Sequence, residues 1–508
     1  MPVLKWNEEV YRDIEMKVNK NMPIEDVKIE YNILEKKYSA LVSNVKEEYY
    51  VHPDGPYKGR KSEMKNDKEY TSKSLIKNIR TITYYGNVIQ KAINDAALNG
   101  GGRVVIKGSE SSESPNIYYT GAITLKSNVE LHIEENAILK FVRNKTNKFY
   151  PVVYTRWEGI ELMNFSPFVY CYEEENIAIT GKGILDGCAD EFNWMPWKYG
   201  YFNEEDQQIQ RERLFDFGQD GVDVRTKRIF GDDISTIRPP FIQPYKSKNI
   251  LIKDITISNS PFWDINPVLC ENIKVIGIRI ESNLYNNDGV DPESCTDMII
   301  ENSYFLTGDD CIAIKSGRNN EGRNIGIPTQ RVIIRNNEFK DGHGGITIGS
   351  EISGGVNDIF AHDNYFDSKE LDYPIRFKTN SERGGKLENI YIKNSIVNKS
   401  KLAVVHADFF YEEGANGKHK PILRNIIISN IKTVEGGSID ARNSLYLKGF
   451  KDAPIENIVL EDSVLNGVRG EAMLQNIKNL TFKNVYVNGQ RIEDKTITVG
   501  DDSKIINQ

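Results

Sequence analysis

Short runs in which apolar and polar residues alternate dominate the chain from about residue 100 onward. AITLKSNVELHIEENAILKF (122–141) alternates at period two, and NIAITGKGILDG (176–187) repeats the pattern. Period two marks a strand with one face buried. From Asn249 the runs open alike: a polar residue, then usually Asn or Asp, then the alternating strand. This opening occurs in KNILIKDITISNS, ENIKVIGIRIESN, TDMIIENSYFL, QRVIIRNNEF, NDIFAHDNYF, ENIYIKNSIV, RNIIISNIKTV, ENIVLEDSVL and KNLTFKNVYV, with starts roughly 22 to 36 residues apart. Weak copies in phase indicate a solenoid whose loops vary in length. Helical segments do not alternate with these strands, which argues against a doubly wound sheet. The pattern predicts an all-β chain, a right-handed parallel β-helix over about 100–500.

Residues 86–98, GNVIQKAINDAAL, place apolar positions at helical spacing, and NGGGRVVIKG turns from them into a strand. This predicts a helix that caps the open end of the solenoid, where a terminal coil would expose unpaired strand edges. Residues 1–80 differ in character. Lys5 to Lys46 reads as partly helical, and HPDGPYKGRKSEMKNDKEYTSKS as a solvated loop. The expected division is an N-terminal extension over 1–80 and a β-helix over 81–508, interrupted by a long excursion at 186–248. That excursion brings in Trp194 and Trp197, which either pack over the flank of the solenoid or wall one end of a ligand groove by ring stacking.

The 508 residues exceed the usual size of one compact domain, a limit that a solenoid escapes by adding coils along one axis. A composition of 39% hydrophobic and 27% charged residues is that of a soluble globular chain. No run reaches the roughly 20 apolar residues of a membrane helix, so no membrane partner is expected. MPVLKWNEEVYRDIEMKVNK lacks the apolar region of a secretory signal, which predicts a cytoplasmic location. The net charge of −8 argues against nucleic acid as a partner, and an anionic ligand would need a locally basic pocket. Cys171, Cys188, Cys270, Cys295 and Cys311 are odd in number and lack CxxC spacing. They read as buried thiols rather than as a zinc site or a disulfide framework. Nothing in the sequence fixes an oligomeric state.

Candidate chemistry is concentrated between residues 286 and 378. The stretch contains NNDGVD, TGDDCIAIKSG, DGHGGITIGSE and YPIRFKTNSERGG, each at the edge of a short β-branched run. Stacked coils lie about 4.8 Å apart. Asp288 on one coil and Asp309 and Asp310 on the next should therefore come close together, and at least one pKa should rise. A carboxyl that keeps its proton can act as a general acid while ionised neighbours activate water. Inverting glycoside hydrolysis needs that pair, usually about 6.5 to 9.5 Å apart. Adjacent strand residues face opposite ways, so Asp309 and Asp310 share a cleft only if the backbone bends, which Thr307-Gly308 allows. His343, between glycines, is placed to tune the acid by hydrogen bonding. Arg376 and Lys378 flank Phe377, so both cations point outward, where they suit the carboxylate of a uronic acid.

The order Asn-x-Asp-Gly-x-Asp, Gly-Asp-Asp, Gly-His-Gly, Arg-x-Lys resembles the signature of glycoside hydrolase family 28, the polygalacturonases. PVVYTRWEGIE (151–161), GDDCIAIKSGRN (308–319), GHGGITIGSEISGGV (342–356) and RFKTNSERGG (376–385) resemble its bacterial exo-acting branch. The resemblance covers most of the chain after about residue 80. It implies a right-handed parallel β-helix that hydrolyses α-1,4-galacturonosidic bonds with inversion, with no metal or other cofactor and a galacturonic-acid oligosaccharide as partner. It implies that Asp309 is the general acid, that Asp288 and Asp310 hold the attacking water, that His343 supports the acid and that Arg376 and Lys378 bind the substrate carboxylate. Asn286, which opens the first motif, joins the candidate substrate contacts, as does Tyr411 in ADFFYEEG, a candidate for the family's late tyrosine. Asn287 stands where many members have Thr, and Phe377 where Ile or Leu is common.

The main expectation is an exo-polygalacturonase that removes galacturonate from the non-reducing end. Rivals are an endo-acting enzyme or a rhamnogalacturonan hydrolase of the same family. A pectate lyase, which uses calcium and gives unsaturated products, is another. A non-catalytic adhesin or tailspike, in which the stacked acids are merely polar coil edges, is the last.

Overall fold

The computed structural model describes residues 48–51, 85–142, 149–201, 204–232, 234–501 and 504–506. Most of the expected N-terminal extension, including its expected helical part and loop, lies outside these residues. The chain divides into two compact units, an N-terminal one of residues 37–287 and a C-terminal one that contains residues 288–508. Each is a stretch of right-handed parallel β-helix.

In the N-terminal unit, parallel strands Gly102–Ile106, Val129–Ile133, Glu175–Gly181, Lys248–Lys253 and Glu271–Ile276 stack into one face. Strand Glu48–Val51, within the expected extension, adds to that face in parallel beside Gly102–Ile106. Helix α1 (Gly86–Leu98) occurs where the apolar spacing predicts it, with Val88, Ile89, Ala92, Ile93 and Ala96 buried. Its Gln90 side chain donates to Thr124 O and accepts from Thr124 N, both at 2.8 Å. Thr124 belongs to Ile123–Thr124, the edge strand of a second sheet, so a side-chain amide completes the hydrogen bonding that a missing coil would have supplied.

The excursion is folded. It contains helices α2 (Met195–Tyr199), α3 (Gln207–Gln219) and α4 (Val224–Lys227). Of the two readings of its tryptophans, packing is the one observed. Trp194 and Trp197 are 3% and 4% exposed, which rules out sugar stacking on either indole. Their rings lie 5.0 Å apart, and Trp194 meets Tyr150 at 5.4 Å and Phe168 at 5.5 Å.

In the C-terminal unit one face runs from Thr296–Glu301 through Thr329–Arg335, Val356–His362, Lys386–Lys393, Ile422–Ser429 and Ile455–Glu461 to Ile477–Lys483. A second face stacks Tyr304–Thr307, Glu338–Asp341, Tyr365–Asp367 and Ile396–Lys399. The third carries the candidate site. Its parallel strands are β1 (Ile312–Ile314), β2 (Gly344–Gly349), β3 (Tyr373–Lys378), β4 (Ala403–Asp408), β5 (Asn443–Lys448) and β6 (Ala472–Gln475). Antiparallel strands Lys495–Val499, Gln490–Ile492 and Lys504–Ile506 end the three sheets. Inside, Phe305, Phe339 and Phe366 stack at centroid separations of 5.3 and 4.7 Å, one ring per coil.

The second residue of each repeat, usually Asn or Asp, has a backbone reason. Asn249, Asn272, Asp297, Arg331, Asp358, Asn389, Asn425, Asn457 and Asn479 all have φ between 55° and 61°. Asn and Asp tolerate this left-handed conformation better than other non-glycine residues. Their side chains also join coil to coil: Asn272 donates to Asn249 at 2.7 Å, Asn389 to Asp358 at 3.1 Å and Asn479 to Asn457 at 2.9 Å. From Asn249 onward the coil-to-coil offset on this face runs from 22 to 36 residues, as the repeat spacing predicts. Asn457→Ala should therefore melt at a lower temperature than Asn457→Gly. Both lose the ladder bond to Asn425, and Ala alone adds the left-handed backbone cost of about 1 kcal/mol. Thermal unfolding followed by circular dichroism measures the difference, and equal melting points would contradict this origin of the preference.

Candidate active site

Backbone pairing brings the acids together. Gly289 N donates to Asp310 O at 2.9 Å and Val290 N to Cys311 O at 2.9 Å, which sets Asp288 beside the coil of Asp310. The expected bend is present: Asp309 and Asp310 lie between Tyr304–Thr307 and β1, outside any strand. Thr307 Oγ1 ties the bend together by donating to Asp309 O at 2.8 Å. The glycines around His343 exist because the neighbouring coil is too close for side chains. A Cβ on Gly342 would lie 2.6 Å from Asp309 O, and one on Gly344 would lie 2.6 Å from Asp310 Oδ1. One carboxylate oxygen from each of Asp288, Asp309 and Asp310 lies within 4.8 Å of the others.

Each carboxylate has a different environment. Asp310 is buried and accepts from Arg376 Nη1 at 3.0 Å and Lys378 Nζ at 2.6 Å. Burial pushes its pKa up, but Lys378 and Arg376 overcome this and hold it well below the usual range. Asp309 meets His343 Nδ1 at 3.0 Å. Burial opposes its charge, yet the His343 hydrogen bond keeps its pKa below the ordinary value, and the same bond raises His343. Asp288 goes the other way: burial, then Asp291 and Asp309, raise it well above the ordinary range against the pull of Lys315. In the free protein the raised carboxyl of the trio is thus Asp288, while Asp309 is hydrogen-bonded to His343. Access runs differently. The side chains of Asp288 and Asp310 are 4% and 0% exposed, against 17% for Asp309 and 51% for His343.

Beneath the acids lies a set of ionic partners that the motifs alone do not single out. Lys315 Nζ, 2% exposed, is 3.8 Å from Asp288, 3.4 Å from Asp291 and 3.2 Å from Glu351. Glu351 also faces Arg318 at 3.3 Å. Arg318 and Arg383 then share Glu412 and Glu413, at 2.7 to 3.3 Å. Those two glutamates follow Tyr411 directly, so the network grips the chain that carries it. Tyr411 is brought to the site, with its ring 5.2 Å from Lys378 Nζ and 5.8 Å from Arg376 Cζ. Lys315, Arg318, Glu351 and Arg383 sit inside the quoted motifs but just beyond their strands, where the sequence carries no signal of burial.

Asn286 belongs to the N-terminal unit. Its Oδ1 accepts from Arg238 Nη2 at 2.7 Å, so its side-chain oxygen serves the fold there. Asn287 donates to Ser260 O at 2.9 Å and Phe262 O at 3.2 Å. The cysteines form no disulfide, and all but Cys188 are buried.

The sequence profile of glycosyl hydrolases family 28 matches residues 227–501, more than half of the chain. The chain belongs to this family. Among solved structures, an exopolygalacturonase from Thermotoga maritima matches with a TM-score of 0.78 at 33% identity, over 93% of this chain and 100% of that one. A probable polygalacturonase of Vitis vinifera is 32% identical over 47% of this chain, but the match spans only 49% of the grape protein. The exo-poly-alpha-D-galacturonosidase of Dickeya chrysanthemi is 23% identical over 82% of this chain and 72% of its own length. Membership in the family makes this chain a glycoside hydrolase.

The Asp309–His343 pair should be visible in titration. It is complete only between the lowered pKa of Asp309 and the raised pKa of His343, and is lost as pH falls through the first or rises through the second. NMR of the His343 imidazole should show a midpoint above the ordinary histidine value of about 6.5 that drops in Asp309→Asn. An unchanged midpoint would contradict the pairing.

Proposed function

We propose that this protein is an exo-acting polygalacturonase, hydrolysing α-1,4-galacturonosidic bonds from the non-reducing end of oligogalacturonides with inversion. One observation carries the reading: two cations, Arg376 and Lys378, converge on a carboxylate cluster whose most exposed acid is Asp309. A neutral sugar would gain nothing from those cations; a uronate carboxylate gains charge-assisted hydrogen bonds. Arg376 remains reachable for it: Nη1 is engaged by Asp310, while the side chain is still 12% exposed.

In this reading Asp309 protonates the glycosidic oxygen. It is charged in the free site, and substrate supplies the missing proton affinity. A bound uronate puts negative charge beside Asp309 and offsets the cations that hold its pKa down. Asp288 and Asp310 hold the water. With one oxygen of each acid within 4.8 Å of the others, Asp309 stands closer to Asp288 and Asp310 than the usual acid-to-base separation of an inverting enzyme, and one water at about 2.8 Å from each can bridge Asp288 and Asp310. Asp288 Oδ1 is buried with no partner among the described residues, leaving it available to that water. His343 hydrogen-bonds Asp309 and keeps its carboxyl oriented. A divalent cation at the three carboxylates would have to displace Arg376 and Lys378 from Asp310.

A time course on a reducing-end-labelled galacturonate oligomer tests the reading. It should release galacturonate monomer from the start, with inverted anomeric configuration by NMR. Early mixed oligomers would indicate an endo enzyme, and ultraviolet-absorbing unsaturated products abolished by a chelator would indicate a lyase. Asp309→Asn should lower kcat by about 10² to 10⁴ with little change in KM. A variant that retains full turnover would remove Asp309 from the chemistry.

A further inference from the structure

The site face continues past Arg376 and Lys378 in strict register. Arg376 pairs with His406 on β4, and His406 with Tyr446 on β5; Lys378 pairs with Asp408, and Asp408 with Lys448. Tyr446 and Lys448 thus repeat, two coils on, the outward positions that Arg376 and Lys378 occupy. Two coils correspond to about 9.6 Å. A continuous aromatic column joins the two places: Tyr373 meets His406 at 4.0 Å and His406 meets Tyr446 at 5.2 Å. Burial, with Arg376 and Lys378, pushes the pKa of His406 down to about 3, so this link is a neutral ring and no rival cation.

Lys448 is half-buried. Its ammonium sits over the Phe410 ring at 4.2 Å, and no ion-pair partner for it occurs among the described residues. Lys378, by contrast, is neutralised by Asp310. Between the two lysines, Asp408 accepts from Phe410 N at 2.8 Å, which engages it with its own turn. The column therefore presents cation, acid, cation on successive coils. A 1,4-linked uronate chain carries one carboxylate per sugar and turns successive carboxylates to different sides, so cations on alternate coils suit it.

We propose that Lys448, with Tyr446, forms a second uronate-binding site on this face, which takes the carboxylate of the third galacturonate of an oligomer whose terminal sugar lies at Arg376 and Lys378. The inference rests on the polygalacturonase reading and adds the residues that sense chain length. The Lys448 ammonium donates to the carboxylate, and the Tyr446 ring, on the same strand face two residues before it, borders the site.

The test compares digalacturonate with trigalacturonate for wild type, Lys448→Gln and Lys448→Arg. Lys448→Gln should raise KM for trigalacturonate about tenfold with kcat unchanged, leave digalacturonate unaffected, and be rescued by Lys448→Arg. Equal losses on both substrates would mark Lys448 as merely structural and overturn the inference, as would no loss on either. Wild-type protein that hydrolyses neither oligomer would instead bring down the polygalacturonase reading, and this inference with it. Turnover by wild type with an unchanged Lys448→Gln profile sinks the inference alone.

Discussion

The site depends on one buried interaction, the double ion pair of Asp310 with Arg376 and Lys378. Two cations two residues apart on one strand face repel each other, and burying both without a counter-charge would be strongly unfavourable. Asp310 cancels one of the two and fixes both geometrically. One positive charge remains in excess, in a chain whose net charge is −8. That local excess is what an anionic sugar meets. The same pair separates the roles of the acids: it holds Asp310 ionised, while Asp288, buried beside Asp291 and Asp309, is pushed toward its protonated form.

The coil geometry makes this possible at low cost in loop length. Chain segments far apart in sequence stand one or two strand spacings apart once the ladders form, so Asp310 reaches Arg376, two coils on, across 66 residues. The ladders hold because most turns place Asn or Asp in the left-handed region, where side chains such as Asn479 and Asn457 bond coil to coil. Loops between turns can then vary freely, and the excursion at 186–248 is the largest such variation. Its tryptophans are buried as packing, Trp194 against Tyr150 and Phe168 of the preceding chain.

Much of this is legible in the sequence for identifiable reasons. Period-two alternation exposes strands directly, and the recurring Asn before each strand exposes the turn. Parity around Phe377 puts Arg376 and Lys378 on one face, and the structure buries Phe377 between them. What parity cannot show is where a cation's charge goes. The sequence points to both cations as substrate contacts, and the structure shows them also bound to Asp310. Lys315 escapes a reading by motif because it ends an otherwise apolar run, Cys-Ile-Ala-Ile-Lys, where a lysine looks like an exposed strand end. Its burial depends on Asp291 and Glu351 arriving from other coils, which only the fold reveals. The tryptophans are ambiguous for the opposite reason: composition reports aromatic rings, and only packing decides which of them face a ligand.

Carboxylate recognition at Arg376 and Lys378 is the core of the proposed function. The most direct measurement is kcat/KM for a galacturonate oligomer against the same oligomer whose non-reducing terminal sugar is galactose, which lacks only the carboxylate. A site built around that charge should lose about 10²-fold or more on the neutral sugar. Comparable turnover of the two would contradict it.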